Sequence, residues 1–83
     1  MLLVAAALDS LKTAFIVSLG VDPNADFDQL AYGVTPGWDS VSHMTLISEI
    51  ESVFDIMLPT DDVIGMSSFT KAKEIVARQG VGI

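Results

Sequence analysis

The apolar residues of segment 40–55 recur at helical spacing, and this periodicity constrains the fold more than any other feature of the sequence. They occupy positions i, i+1, i+4, i+7 and i+8, the pattern of one buried stripe on an α-helix. The stripe consists of Leu46, Ile47, Ile50, Val53 and Phe54. A Pro-Gly pair precedes the segment and a proline follows it. We therefore predict a helix over 40–55, capped by Asp39 or Ser40.

Three further segments have helical patterns. Residues 2–19 carry a stripe that ends before Gly20, and its members are Val4, Leu8, Leu11, Phe15 and Leu19. A short helix is predicted over 60–65 and a fourth over 68–79, with Ser67 or Ser68 as its cap. The connection 21–39 is long, and we expect Phe27, Leu30 and Tyr32 to hold it against the core. The fold class is therefore all-α: a four-helix bundle with three longer helices, one short third helix and a long loop between helices one and two. We expect one domain over 1–83.

The composition excludes several classes of function. Cysteine is absent and there is one histidine, so we predict no disulfide, no thiolate nucleophile and no metal site. A chain of 83 residues has no room for a large enclosed active site, and we predict a protein that is not an enzyme. No apolar run approaches the length of a membrane span, and the apolar start lacks the basic region of a signal peptide. We expect a cytoplasmic protein without membrane insertion.

The charge is one-signed over most of the chain. The net charge is −7, and no Lys or Arg lies between Lys12 and Lys71. The nine acids in that interval are Asp22, Asp26, Asp28, Asp39, Glu49, Glu51, Asp55, Asp61 and Asp62. Such a field repels nucleic acid and steers partners that have basic patches toward the protein.

The face of helix two opposite its buried stripe carries two apolar residues. Val41 and Met44 share that face with Ser40, Ser48 and Glu51, which is typical of a docking surface rimmed by acids. Two ordinary exposed side chains explain the pair equally well. Ser40 is either a helix cap or a serine whose hydroxyl lies beside free first-turn N–H groups, where a phosphodiester would be favoured.

The same segment carries a family resemblance. Trp38-Asp39-Ser40-Val41-Ser42-His43-Met44, followed by Leu46, Ile47, Ile50, Glu51, Phe54, Leu58 and Pro59, closely resembles acyl carrier proteins, in which an Asp-Ser-Leu motif opens the second helix. Val41 replaces the usual Leu. Ser42 and Thr45 stand where housekeeping fatty-acid carriers usually have acids, which favours a discrete, specialised carrier. His43 falls on the core side of the helix, where we expect a structural role.

The resemblance implies a function and a set of site residues. A phosphopantetheinyl transferase would attach 4′-phosphopantetheine from coenzyme A to Ser40, with Asp39 helping it to recognise the site. The arm would carry acyl groups as thioesters to acyl-transferring, ligase or ketosynthase-type enzymes of fatty-acid, lipid or polyketide-type biosynthesis. Partner docking would use Val41, Met44, Glu49, Glu51 and Asp55. An acyl chain would be sheltered by Ile50, Phe54, Leu58, Val63 and Met66.

Two alternatives remain open from the sequence. One is an aminoacyl or peptidyl carrier with the same arm and a different load. The other is an unmodified helical interaction module whose acidic face binds a basic partner. A monomer is expected for a carrier that shuttles between enzymes.

Overall fold

The computed structural model describes the backbone of residues 2–83 and the side chains of residues 6–83. It contains α1 (Leu2–Leu19), a 3₁₀ turn (Phe27–Gln29), α2 (Ser40–Phe54), α3 (Thr60–Gly65) and α4 (Phe69–Arg78). The predicted all-α class, with three longer helices, one short helix and a long loop after α1, is confirmed. Of the helices described, none has the length and apolarity needed to cross a bilayer.

Three of the helix boundaries differ from the prediction because the caps lie outside the helices. Asp55 follows α2 as its C-cap in the left-handed conformation, with φ 53°, so α2 ends one residue early. Ser68 precedes α4 and accepts a hydrogen bond from the Lys71 amide, whereas Gln79 follows α4 as its C-cap. Capping residues have non-helical backbone angles, so a periodic pattern that includes them overestimates the helix.

Aromatic side chains join the helices and the long loop in one core. Phe15 of α1 contacts Trp38 edge-to-face with 5.3 Å between ring centroids, and contacts Phe69 of α4 at 5.0 Å. Phe69 also contacts Phe27 of the loop at 5.1 Å. Each edge-to-face pair stabilises a core by about 0.5–1.5 kcal/mol beyond the burial of apolar area. The cluster therefore fixes the loop between α1 and α4.

The buried stripe of α2 is shorter than predicted. Leu46, Ile47 and Ile50 are buried and Phe54 is half-buried, but Val53 is 42% exposed. The assignment of Val53 to the core is therefore wrong. Helical periodicity identifies a face of a helix, but it does not show how far along that face the neighbouring elements extend.

The long loop is held down as predicted by Phe27 and Leu30, which are both buried. Tyr32 is 43% exposed, and it holds the loop as predicted by packing on the core and not by being buried in it. Its ring packs against the aromatic rings behind it and leaves its other side in solvent. The Tyr32 amide donates to the Ser67 carbonyl at 2.9 Å, which ties the loop to the segment before α4.

Gly37 brings the start of α2 close to the end of α1. Its φ is +87°, and a Cβ at this position would lie 2.6 Å from the Leu19 carbonyl oxygen. Only glycine meets both conditions without strain. This contact, together with the direct packing of α1 on α2, sets where Ser40 lies on the surface.

Candidate functional site

The first turn of α2 is closed by a capping box centred on Asp39. The Asp39 Oδ1 accepts hydrogen bonds from the amides of Val41 at 3.1 Å and Ser42 at 3.0 Å. In return the Asp39 amide donates to Ser42 Oγ at 2.9 Å, and that hydroxyl donates to the Gly37 carbonyl. The hydrogen bonds from Ser42, with a smaller one from Val41, lower the pKa of Asp39 below its usual 3.8.

This cap changes the expected electrostatics around Ser40. The sequence predicted free amides beside the Ser40 hydroxyl, but Asp39 occupies the amides of Val41 and Ser42. The free-amide expectation is therefore wrong for these two groups. Ser40 takes no part in the cap hydrogen bonds, and its side chain is exposed as the first residue of α2. Its hydroxyl is presented to solvent and is not committed to holding the helix.

An apolar cavity of about 350 Å³ opens beside Ser40. It lies between the first turns of α2, the segment 63–67 and the long loop. Most of its lining atoms are carbon, and no charged side chain contributes to it. The lining residues are Tyr32, Ser40, His43, Met44, Val63, Ile64, Met66 and Ser67.

The residues predicted to shelter an acyl chain divide into two groups. Val63 and Met66 line the cavity. Ile50 is fully buried, Leu58 is buried and Phe54 is half-buried, and these three do not line it. They belong to the packed interior beneath α2.

The cavity also has wall residues that the sequence reasoning missed. Tyr32, Ile64 and Ser67 come from the loop, from α3 and from the segment after α3. Nothing in their spacing along the chain connects these three residues. The sequence shows only that each one has an apolar side chain or a hydroxyl group.

The exposed apolar residues next to Ser40 form a patch. Val41 is 78% exposed and Met44 is 55% exposed, so the prediction that both point away from the core is confirmed. Ile64, which is 75% exposed, contributes to the cavity wall that also contains Met44. We call Val41, Met44 and Ile64 the apolar rim.

The predicted docking acids do not form one cluster. Asp55 is exposed at the end of α2. Glu51 is partly buried, and its Oε2 accepts a hydrogen bond from the Leu58 amide at 2.8 Å. At about 100° per residue, the nine-residue separation places Glu49 on the opposite side of the helix from Ser40. Glu51 therefore orders the turn after α2, and Glu49 lies across the helix from Ser40.

His43 is buried, as the sequence predicted, and both of its ring nitrogens are engaged. The Trp38 Nε1–H donates to Nδ1 at 2.9 Å, so in the neutral ring the proton lies on Nε2. Nε2 is 2.8 Å from the Val63 carbonyl oxygen and donates to it. His43 thus links the loop, α2 and α3, and it leaves no nitrogen free for a ligand in the cavity.

The side chains described contain no group of three or more His, Asp or Glu residues placed to hold a metal ion. The hydroxyl of Ser40, the apolar cavity and the apolar rim are therefore the features from which a function has to be inferred.

Comparisons with models of known protein families, with curated proteins and with solved structures found no match for this chain.

Proposed function

We propose that this chain is a carrier protein of the acyl carrier type, with Ser40 as the attachment point of a 4′-phosphopantetheine arm. One observation supports this most strongly: the exposed Ser40 hydroxyl lies at the start of α2 and on the wall of an apolar cavity. A group attached to this oxygen can extend into solvent toward an enzyme or fold back into the cavity. The acyl carrier resemblance of segment 38–59 agrees with this placement.

The residues around Ser40 fit a phosphodiester on its oxygen. The start of a helix favours negative charge because the peptide dipoles leave partial positive charge there. Asp39 already satisfies two of the first amides and adds a carboxylate of its own. A phosphate on Ser40 would therefore remain in solvent beside the helix start, where water and counterions screen the repulsion from Asp39.

The attachment chemistry needs only the Ser40 hydroxyl from this chain. Its Oγ would form a bond to the phosphorus that bears the pantetheine of coenzyme A, the P–O bond of the pyrophosphate would break, and 3′,5′-ADP would leave. The hydroxyl proton would pass to a base of the phosphopantetheinyl transferase. Once attached, the arm supplies a terminal thiol, which a chain without cysteine lacks, and the thiol holds the cargo as a thioester.

The cavity favours an acyl cargo over an aminoacyl cargo. Its lining is mostly carbon and includes no carboxylate. Burial of an alkyl chain there is favourable by roughly 0.8 kcal/mol per CH₂ group. An ammonium group would find hydroxyl groups but no carboxylate among the lining side chains, and burial of a charge without a counter-charge is unfavourable.

The apolar rim and the acidic surroundings fit enzymes that dock near Ser40. Val41 and Met44 lie within four residues of the attachment point on the exposed side of α2. The net charge of −7 would steer such partners if they carry basic patches. A protein that bound partners through this face without modification would use the same residues but would not need Ser40.

The test is the intact mass of the chain before and after incubation with coenzyme A, magnesium and a permissive phosphopantetheinyl transferase. We expect the wild-type chain to gain one phosphopantetheine group and the Ser40→Ala chain to gain none. Ser52→Ala is the matched control, because Ser52 is also an exposed serine of α2 and its loss should leave the mass gain unchanged. No mass gain on folded wild-type protein with several transferases would contradict the proposal and favour the unmodified interaction module.

A further inference from the structure

The short helix α3 forms one wall of the cavity, and it packs only weakly against the core. It has six residues, and none of those six is buried. Its N-terminus has no side-chain cap. Isolated helices shorter than about 12–15 residues are marginal in water, so contacts with the rest of the protein must fix α3.

Polar contacts attach α3 on two sides. On the α4 side, Asp62 accepts from Arg78 Nη2 at 2.8 Å and from Gln79 Nε2 at 3.3 Å. The Arg78 side chain is 58% exposed, and exposed ion pairs contribute only about 0–1 kcal/mol. On the α2 side, the buried His43 Nε2 donates to the Val63 carbonyl at 2.8 Å. The second contact is part-buried and joins α3 to the helix that carries Ser40.

The His43 contact satisfies a carbonyl that α3 cannot satisfy itself. Val63 lies among the last four residues of α3 (Thr60–Gly65), whose carbonyl groups have no partner within a helix. The Ser67 amide, which would reach Val63 in a longer helix, donates to Gly65 instead. Trp38 fixes the direction of this hydrogen bond, because its donation to Nδ1 requires the proton on Nε2.

The same hydrogen bond joins two residues that line the cavity, one from α2 and one from α3. His43 and Met44 line it from α2, whereas Val63 and Ile64 line it from α3. We propose that His43 is a positioning residue that holds α3 at a set distance from α2 and so limits the length of acyl chain that the cavity shelters. This inference rests on the proposed carrier function and names the residue that selects its cargo.

Two substitutions separate the hydrogen bond of His43 with Trp38 from its hydrogen bond with Val63. In His43→Asn the side-chain oxygen can replace Nδ1 as acceptor for Trp38, but the side chain is too short to reach Val63. In His43→Gln the amide N–H can replace Nε2 as donor to Val63. We expect His43→Asn to loosen α3 and His43→Gln to keep it in place. Ile75→Val is the control for general loss of stability, because Ile75 is buried in α4 and does not line the cavity.

The first readout is hydrogen exchange of the Val63 amide, which bonds to the Pro59 carbonyl at 3.0 Å. Loss of a hydrogen bond to α3 should speed this exchange about tenfold in His43→Asn relative to wild type. The Ala72 amide of α4 should change by less, and His43→Gln should exchange close to wild type. Equal acceleration at Val63 and Ala72, as expected for Ile75→Val, would overturn the proposal.

The second readout is specific to cargo. Each variant is loaded on Ser40 with saturated acyl chains of increasing length, and cleavage of the thioester by hydroxylamine is timed. In wild type and His43→Gln, we expect protection of the thioester from hydroxylamine to stop increasing at one acyl chain length. In His43→Asn, we expect this protection to keep increasing to longer chains. An identical length dependence in all three would overturn the role of His43 while the carrier function stands. Failure of the proposed function itself is seen separately, as the absence of any mass gain on Ser40.

Discussion

Replacement of Gly37 by alanine should destabilise the protein more than replacement of any other glycine with a positive φ. Two penalties combine at this position. A non-glycine residue in the left-handed region is disfavoured by about 1–2 kcal/mol, and the φ of Gly37 is +87°. In addition, the new Cβ would lie 2.6 Å from the Leu19 carbonyl oxygen, and relief of such a steric overlap costs about 1–3 kcal/mol. We therefore expect Gly37→Ala to lower the free energy of unfolding by about 3 kcal/mol.

Gly33→Ala is the matched control. Gly33 has a similar φ of +77°, but nothing lies within 4 Å of the position its Cβ would take. Only the conformational penalty applies there, so the loss should be about 1–2 kcal/mol. The difference between the two variants isolates the contact between the start of α2 and the end of α1.

The assay is urea denaturation followed by the fluorescence of Trp38. This is the only tryptophan in the chain and is 1% exposed, so its emission should shift when the core opens. A domain of this size typically has a free energy of unfolding of about 4–12 kcal/mol. A loss of about 3 kcal/mol should therefore lower the urea midpoint clearly. Equal losses for Gly37→Ala and Gly33→Ala would refute the close approach of α1 and α2 at this point.

Three further predictions concern α2. Asp39→Ala should lower the free energy of unfolding at neutral pH, because the carboxylate, whose pKa is lowered, contributes stability above pH 3.8 that is lost as the pH falls through the folded-state pKa. The urea midpoints of wild type and Asp39→Ala should therefore converge in acid. The stability of Asp39→Asn should depend less on pH than that of wild type. Glu51→Ala should cost about 1.5–3 kcal/mol by removing a charged acceptor from the Leu58 amide, whereas a change of Ser52, an exposed neighbour, should stay within about 0.5 kcal/mol. Met44→Asp should leave the thermal midpoint of unfolding nearly unchanged but slow modification of Ser40 by the transferase. An unchanged rate of modification would contradict a role for Met44 in docking.

The helices could be predicted because their limits are encoded locally. Gly20 and Gly80, both with positive φ, follow the patterned segments of α1 and α4, and Pro59 precedes α3. Periodicity and capping residues need only a few neighbours in the chain to be interpreted. The error arose where burial depends on distant segments, as for Val53, which is partly exposed to solvent.

The candidate site could be predicted only in part for the same reason. The exposure of Val41 and Met44 followed from the angular position of each residue on one helix. The cavity is assembled from the loop, α2 and α3, and no pattern within one segment shows which of their side chains meet. The engagement of Glu51 with Leu58 and of Asp39 with two amides likewise depends on geometry that residue types alone leave open.

The most direct test of the carrier function is to locate the modified residue after the transferase reaction. Fragment-ion mass spectrometry of the peptide that contains segment 38–44 distinguishes Ser40 from Ser42, whose hydroxyl holds the helix cap. We predict that the mass of one phosphopantetheine group lies on Ser40 alone. Its presence on Ser42 or on a serine elsewhere, or an unmodified peptide from a folded protein, would contradict the assignment of Ser40 as the attachment point.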